Sequence, residues 1–144
     1  MRRQPDPQMH SAEHILNQTM VRLYGCDRCF TAHIERKKSK CDYHFDHALT
    51  EEEIAEIQSR INRVIDFDLP VTESFVSRDE AERLYNTQKL PNDVGGSIRV
   101  VHIGDYDLCP CIGEHVASTG EIGTFRITTI SYADDDLRIR FKLS

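Results

Sequence analysis

Two short stretches near opposite ends of the chain constrain it more than anything else. The first is His10-Ser11-Ala12-Glu13-His14; the second is Cys111-Ile112-Gly113-Glu114-His115. Each carries two metal-ligating side chains four positions apart. On a helix, residues at that spacing lie one above the other on the same face, so His10 and His14 can aim at a common atom. Cys111 and His115 offer a thiolate and an imidazole at the same interval, provided that stretch is helical or tightly turned. A single ion held by both pairs would close the chain on itself. Any fold that does this must bring the first helix against a segment close to the end.

Imidazole nitrogen and thiolate sulfur together are the donor set of a zinc site, so His10, His14, Cys111 and His115 form the candidate metal ligands. Cys109, two residues upstream in Cys109-Pro110-Cys111, is an alternative thiolate. Two other metal readings remain open. His10-Ser11-Ala12-Glu13-His14 matches the H-x-x-E-H pattern of inverted zinc peptidases. Those enzymes need a further acidic ligand and a large chamber, so Glu13 is expected to face solvent. Cys26-x-x-Cys29 followed by Cys41-x-x-His44 has the shape of a small structural zinc knuckle, which could coexist with the first site.

A chain of 144 residues fits one domain, residues 1–144, with Pro5 and Pro7 marking residues 1–8 as an extended lead-in. No apolar run is long enough to span a membrane, and no apolar stretch follows Arg2-Arg3, so a cytoplasmic protein is expected. Five cysteines in local groups suit metal binding better than disulfides in that compartment. The net charge of −6 excludes a generic nucleic-acid coat protein but leaves room for a local basic patch. The densest such patch is Arg36-Lys37-Lys38-Ser39-Lys40, which is otherwise a solvated hairpin tip.

Apolar periodicity predicts a helix of about fifteen residues from Met9, stopped by Gly25. Phe30–Ile34 and Cys41–Phe45 alternate as two strands. Thr50 and Glu53 form a capping box for a helix running to about Phe67, with Ile54, Ile57, Ile61, Val64 and Ile65 as its apolar stripe. Val71–Val76 is a strand, Ser77–Leu84 a short capped helix, Pro91–Gly96 a loop and Ser97–Ile103 a strand. Phe125–Ile130 and Leu137–Phe141 alternate as half-buried antiparallel strands joined at Ala133–Asp136. The sum is an α+β fold, an antiparallel sheet with helices packed on it.

His-x3-His early and Cys-x3-His late, followed by Val116-Ala117-Ser118-Thr119-Gly120-Glu121-Ile122-Gly123-Thr124-Phe125-Arg126-Ile127, resemble the editing domain shared by alanyl- and threonyl-tRNA synthetases. The short, stand-alone AlaX-type trans-editing proteins are the relatives of matching size. The resemblance extends through Thr50–Glu53, Pro70-Val71, Asp79–Ala81 and Arg99–Gly104. It implies the same α+β fold and Zn2+ held by His10, His14, Cys111 and His115. It also implies an aminoacylated tRNA as partner, and hydrolysis of the ester that joins serine, or glycine, to an alanine tRNA. A threonine tRNA is the alternative substrate and a non-catalytic zinc module the alternative class. His10, His14 and Glu114 are then the catalytic candidates, Thr31 or His33 the reader of the substrate hydroxyl, and Lys37, Lys38 and Lys40 the tRNA contacts; a homodimer is compatible with this reading. The second motif departs from the family's usual Cys-Gly-Gly-Thr-His or Cys-Arg-Gly-Pro-His at Ile112 and Glu114, and Cys109-Pro110 replaces an acidic-Leu pair.

Overall fold

A computed structural model describes residues 6–84 and 97–144. The expected loop at Pro91–Gly96 and the first five residues of the lead-in lie outside the described residues. The element order is α1 (Pro7–Tyr24), β1 (Thr31–Ile34), β2 (Ser39–His44), α2 (Glu51–Asp66), β3 (Val71–Ser77), α3 (Arg78–Leu84), β4 (Ser97–Ile103), β5 (Asp107–Pro110), a 3-10 turn (Thr119–Glu121), β6 (Phe125–Ala133) and β7 (Asp136–Leu143).

α1 starts earlier than the sequence pattern suggested. Asp6 caps it by accepting from the Met9 amide at 3.3 Å, and Pro7 occupies the first turn. Proline is at home there because its missing N–H would have had no helical partner and its φ is preset. Pro7 therefore opens the helix instead of extending a lead-in. At the other end Gly25, at φ 68°, donates its amide to Val21 O and stops the helix as read. α2 carries the expected capping box: Thr50 Oγ1 accepts from Glu53 N, and Glu53 Oε1 accepts from Thr50 N. Ser77 accepts from Glu80 N and caps α3.

The strands form two antiparallel sheets, not one. A four-stranded sheet has the order β1-β2-β7-β6 and a three-stranded sheet the order β3-β4-β5. Met9, Ile15, Leu16 and Met20 of α1 and Ile57, Ile61, Val64 and Ile65 of α2 bury themselves against Cys41, Tyr43, Phe125, Leu137, Ile139 and Phe141 of the larger sheet. Ile103 brings the smaller sheet into the same core. Asn62 on α2 exchanges two hydrogen bonds with the Phe125 backbone, and Thr119 Oγ1 donates to Val64 O. These contacts fix the segment after His115 against α2. No described helix is long and apolar enough to cross a membrane.

Candidate metal centre

α1 is buried along its first half on more than its apolar stripe. Ser11, His10, Glu13, His14 and Asn17 are all under 10% exposed. Polar side chains are costly to bury without partners, so their presence in a packed helix marks a site. The facing segment is β5 and the irregular stretch after Pro110.

His10, His14, Cys111 and His115 converge, with one donor atom of each within 4.8 Å of the others. The rings of His10 and His115 stack with centroids 4.2 Å apart, and His14 meets both edge-on at 5.0 and 4.5 Å. Cys111 Sγ lies 3.3 Å from His10 Nε2. Each imidazole turns its Nδ1 outward to a neighbour. His10 Nδ1 faces Glu114 O at 3.2 Å, His115 Nδ1 faces Ser11 Oγ at 3.0 Å, and His14 Nδ1 lies 3.4 Å from Asp107 Oδ2. That leaves Nε2 of each ring for the centre, the arrangement by which outer partners fix the tautomer and aim of ligating histidines.

The convergence does not come from helical spacing at the second stretch. Residues 111–117 form no helix. Arg99 Nη1 donates to Cys111 O at 3.2 Å and to Gly113 O at 2.7 Å, while Glu73 pairs with the same guanidinium. The Cys111 amide donates to Arg99 O, and the Val116 amide to Ser11 Oγ. An arginine on β4 thus shapes the loop that brings Cys111 and His115 to one point. Gly113 is required within it, because a Cβ there would run into His10, 2.6 Å from Nδ1.

Electrostatics separate the two candidate cysteines. Burial pushes the Cys111 thiol up, but the rings of His10, His115 and His14 around it outweigh that and bring its pKa down to about 3. Cys109, buried beside Asp107, is pushed up to about 12. Cys111 is the thiolate and Cys109 stays a thiol. Asp107 is only 2% exposed and accepts from Arg28 Nη1 at 2.7 Å and Gln18 Nε2 at 2.9 Å. Burial alone would raise its pKa, yet His14 and Arg28 hold the carboxyl well below the usual carboxylate range.

Zinc fits this donor set. Three imidazoles and a thiolate are ligands it prefers, and among the described residues of the centre His115 Nε2 and His14 Nδ1 are buried with no hydrogen-bond partner. A buried nitrogen without a partner is costly, and a metal ion satisfies it.

Glu13 corrects the reading from sequence. It is 9% exposed, not solvent-facing. Its Oε1 lies 3.8 Å from His10 Nε2, and its Oε2 accepts from Cys29 Sγ at 3.7 Å. Cys41 joins them, so one carboxylate and two thiols gather between α1 and the β1–β2 hairpin. The helix turn that carries the two histidines is therefore buried at every position from His10 to His14.

The other candidates fall elsewhere. Cys26 Sγ donates to Met20 O and His44 stacks on Phe30, so the four members of the supposed zinc knuckle do not converge. The Glu114 side chain is exposed; its backbone carbonyl, not its carboxylate, enters the centre. In β1, Ala32 and Ile34 pack toward the core. Alternation then sends Thr31 and His33 to the outer sheet face, where both are exposed and Thr31 Oγ1 donates to Asp42 Oδ2 at 2.8 Å. Lys37 and Lys38 are exposed at the hairpin tip, with Lys40 half-buried on β2. Ser11, Arg28, Arg99 and Asp107 were not singled out from sequence. Their roles depend on partners in other elements, 12 to 104 residues away, for which no local pattern exists.

Comparison with known proteins agrees with this geometry. Residues 98–139, the span holding Cys111 and His115, match the family model described as the threonyl and alanyl tRNA synthetase second additional domain. The chain belongs to the superfamily of that domain. It is 34% identical over 137 residues to an alanine--tRNA ligase of Methanopyrus kandleri, covering 92% of this chain and 15% of that protein. Alanine--tRNA ligases of Methanothrix thermoacetophila and Francisella tularensis subsp. mediasiatica are each 32% identical, over 97% and 83% of this chain. The chain thus spans only 14–16% of the length of these relatives, so membership in the second-additional-domain superfamily covers the domain and not the ligase. The α+β architecture, with antiparallel sheets and three helices, is consistent with that membership.

Proposed function

We propose that this protein is a zinc-dependent hydrolase that removes a wrongly attached amino acid, serine or glycine, from alanine tRNA. The observation that carries the reading is the convergence of His10, His14, Cys111 and His115 from two stretches about a hundred residues apart. The family relation supplies the tRNA. Such an activity answers a physical need. A synthetase pocket made for a small apolar side chain rejects an added hydroxyl by only ~10², so a second site must sieve for it.

Bound at the four side chains, zinc would supply Lewis acidity toward the ester carbonyl and acidify a water. The rest falls to the protein. His10, His14 and His115 are held in aim by Glu114 O, Asp107 and Ser11. Glu13 Oε1, buried beside His10, is placed to take a proton from the attacking water and return it to the departing ribose oxygen. Glu114, with its side chain in solvent, is the weaker base. Four protein donors resemble a closed structural zinc site, which favours, as the second reading, a module that binds tRNA without turning it over.

The test is paired. Glu13→Gln should lower kcat by 10²-fold or more while zinc content is kept, and Glu114→Gln should change it by less than tenfold. His14→Ala should lose zinc and activity together. Full activity in metal-free protein contradicts the zinc reading, and equal loss in both glutamate variants contradicts the assignment of Glu13.

A further inference from the structure

We infer that the outer face of the four-stranded sheet is an RNA-binding surface, with the β1 edge as the crossing point for a single-stranded 3′ end. The inference rests on the proposed function for the choice of tRNA, but the surface is argued from charge and topology alone.

Both long helices pack on the inner face of this sheet, through Tyr43, Leu137, Ile139 and Phe141. The alternate residues point the other way, and no described helix contributes to the core from that side. In register across the strands, His33 sits beside Lys40, which sits beside Arg140. Arg138 lies two residues from Arg140 on the same face, and Arg126 pairs with Lys142 at the far edge. Arg36, Lys37 and Lys38 extend this field beyond the sheet at the hairpin tip. Two acids share the face: Asp42 is joined to Arg138 at 2.8 Å and Asp136 to His44 at 3.2 Å. The molecule as a whole carries a net charge of −6, and the exposed side of α2 presents Glu51, Glu52, Glu56 and Asp66. This sheet face and the hairpin tip thus gather Arg36, Lys37, Lys38, Lys40, Arg126, Arg138, Arg140 and Lys142 on an acidic protein. That pattern attracts phosphates and orients the approach of a polyanion. The flat face suits a duplex read through its backbone and shape.

The route from this face to the metal centre is short in contacts. At the end of β1, the Phe30 and His44 rings stack 4.0 Å apart, nearly parallel at 7°, and Phe30 is 38% exposed. Phe30 follows Cys29, whose thiol touches Glu13, whose carboxylate faces His10. An exposed aromatic pair beside a cationic face is a platform on which an unpaired base stacks. A duplex on the sheet would thus pass its unpaired 3′ tail over β1, across Phe30 and toward the centre.

The experiment measures binding of an uncharged RNA hairpin whose duplex ends in a single-stranded CCA tail, by fluorescence anisotropy over a salt series. Arg126→Ala/Arg140→Ala/Lys142→Ala should weaken binding and reduce the slope of log K against log salt by about 2, from ~0.7–0.9 per lost phosphate contact. Arg60→Ala/Arg63→Ala on α2 is the control and should keep the wild-type slope. Phe30→Ala should bind a blunt hairpin like wild type but lose the preference for the tailed one. A triple variant with unchanged slope, an α2 control that falls equally, or wild-type protein without salt-dependent binding overturns the proposal. Thermal melts matched to wild type exclude unfolding as the cause. Wild type that binds in this way but releases no amino acid leaves the surface standing and sinks the hydrolase reading.

Discussion

At the scale of single residues, the centre rests on which atom faces which. Cys111 is a thiolate because three imidazoles surround it, whereas Cys109, two positions away, is buried beside a carboxylate and kept protonated. Cys111→Ser should therefore abolish zinc binding and Cys109→Ser should leave it intact, as measured by metal content after dialysis. Gly113 is equally specific. Gly113→Ala would press a methyl into His10, and overpacking of that kind costs about 1–3 kcal/mol, read as a lower Tm together with weaker zinc retention. Asp107 acts one contact further out. Asp107→Asn removes the partner of half-buried Arg28 and loosens His14, so zinc affinity should fall 10–100-fold, measured by competition with a chelator. The i, i+4 spacing of the histidines was readable from the sequence because helix geometry is local. The convergence of Cys111 with His115 was not, because Arg99 on another strand enforces it.

At the scale of elements, the capped helices were the most legible parts. Thr50 and Glu53 announce α2 by themselves, and the stripe from Ile57 to Ile65 states which side is buried. Thr50→Ala should cost about 1 kcal/mol in denaturant unfolding. Glu53 adds a pH signature. The Thr50 amide and then His47 hold its carboxyl below the ordinary range, and the hydrogen bond from Glu53, with that from Asp46, raises the His47 pKa. The glutamate's contribution is present above its unfolded pKa of ~4.3 and disappears as pH falls through the lower folded value. The histidine's is present below ~6.5 and disappears as pH rises through the higher folded value. The Tm gap between wild type and Glu53→Gln should therefore be widest between about pH 4.5 and 6.5 and narrow on both sides. α1 was misread at both its start and its surface. Pro7 looked like a breaker but is the favoured first-turn residue, and Glu13 looked solvent-facing because single-sequence periodicity cannot see a second wall. Cys29 and the β2 residue Cys41, which gather round Glu13, are that wall.

At the scale of the whole molecule, one helix serves both halves of the domain. α1 carries two candidate ligands, while the segment after β5 supplies the other two and β6 and β7 follow it into the larger sheet. Folding and site assembly are thus the same event, and loss of the centre should be felt globally. The division of the strands into two sheets was not legible in the sequence, because alternation gives a strand its faces and not its neighbours. The same alternation, once the register is known, separates a core face from a basic outer face. It also sets Thr31 and His33 apart from the centre, so a role for them in reading substrate requires the tRNA end to pass over β1. The central claim is that this arrangement hydrolyses a mischarged tRNA, and release of serine from preformed seryl-tRNA of the alanine type tests it most directly. With zinc-replete protein, serine should be released rapidly, correctly charged alanyl-tRNA should be spared, and release should be lost in Cys111→Ser. Equal rates with and without the protein, at full zinc occupancy, would contradict it.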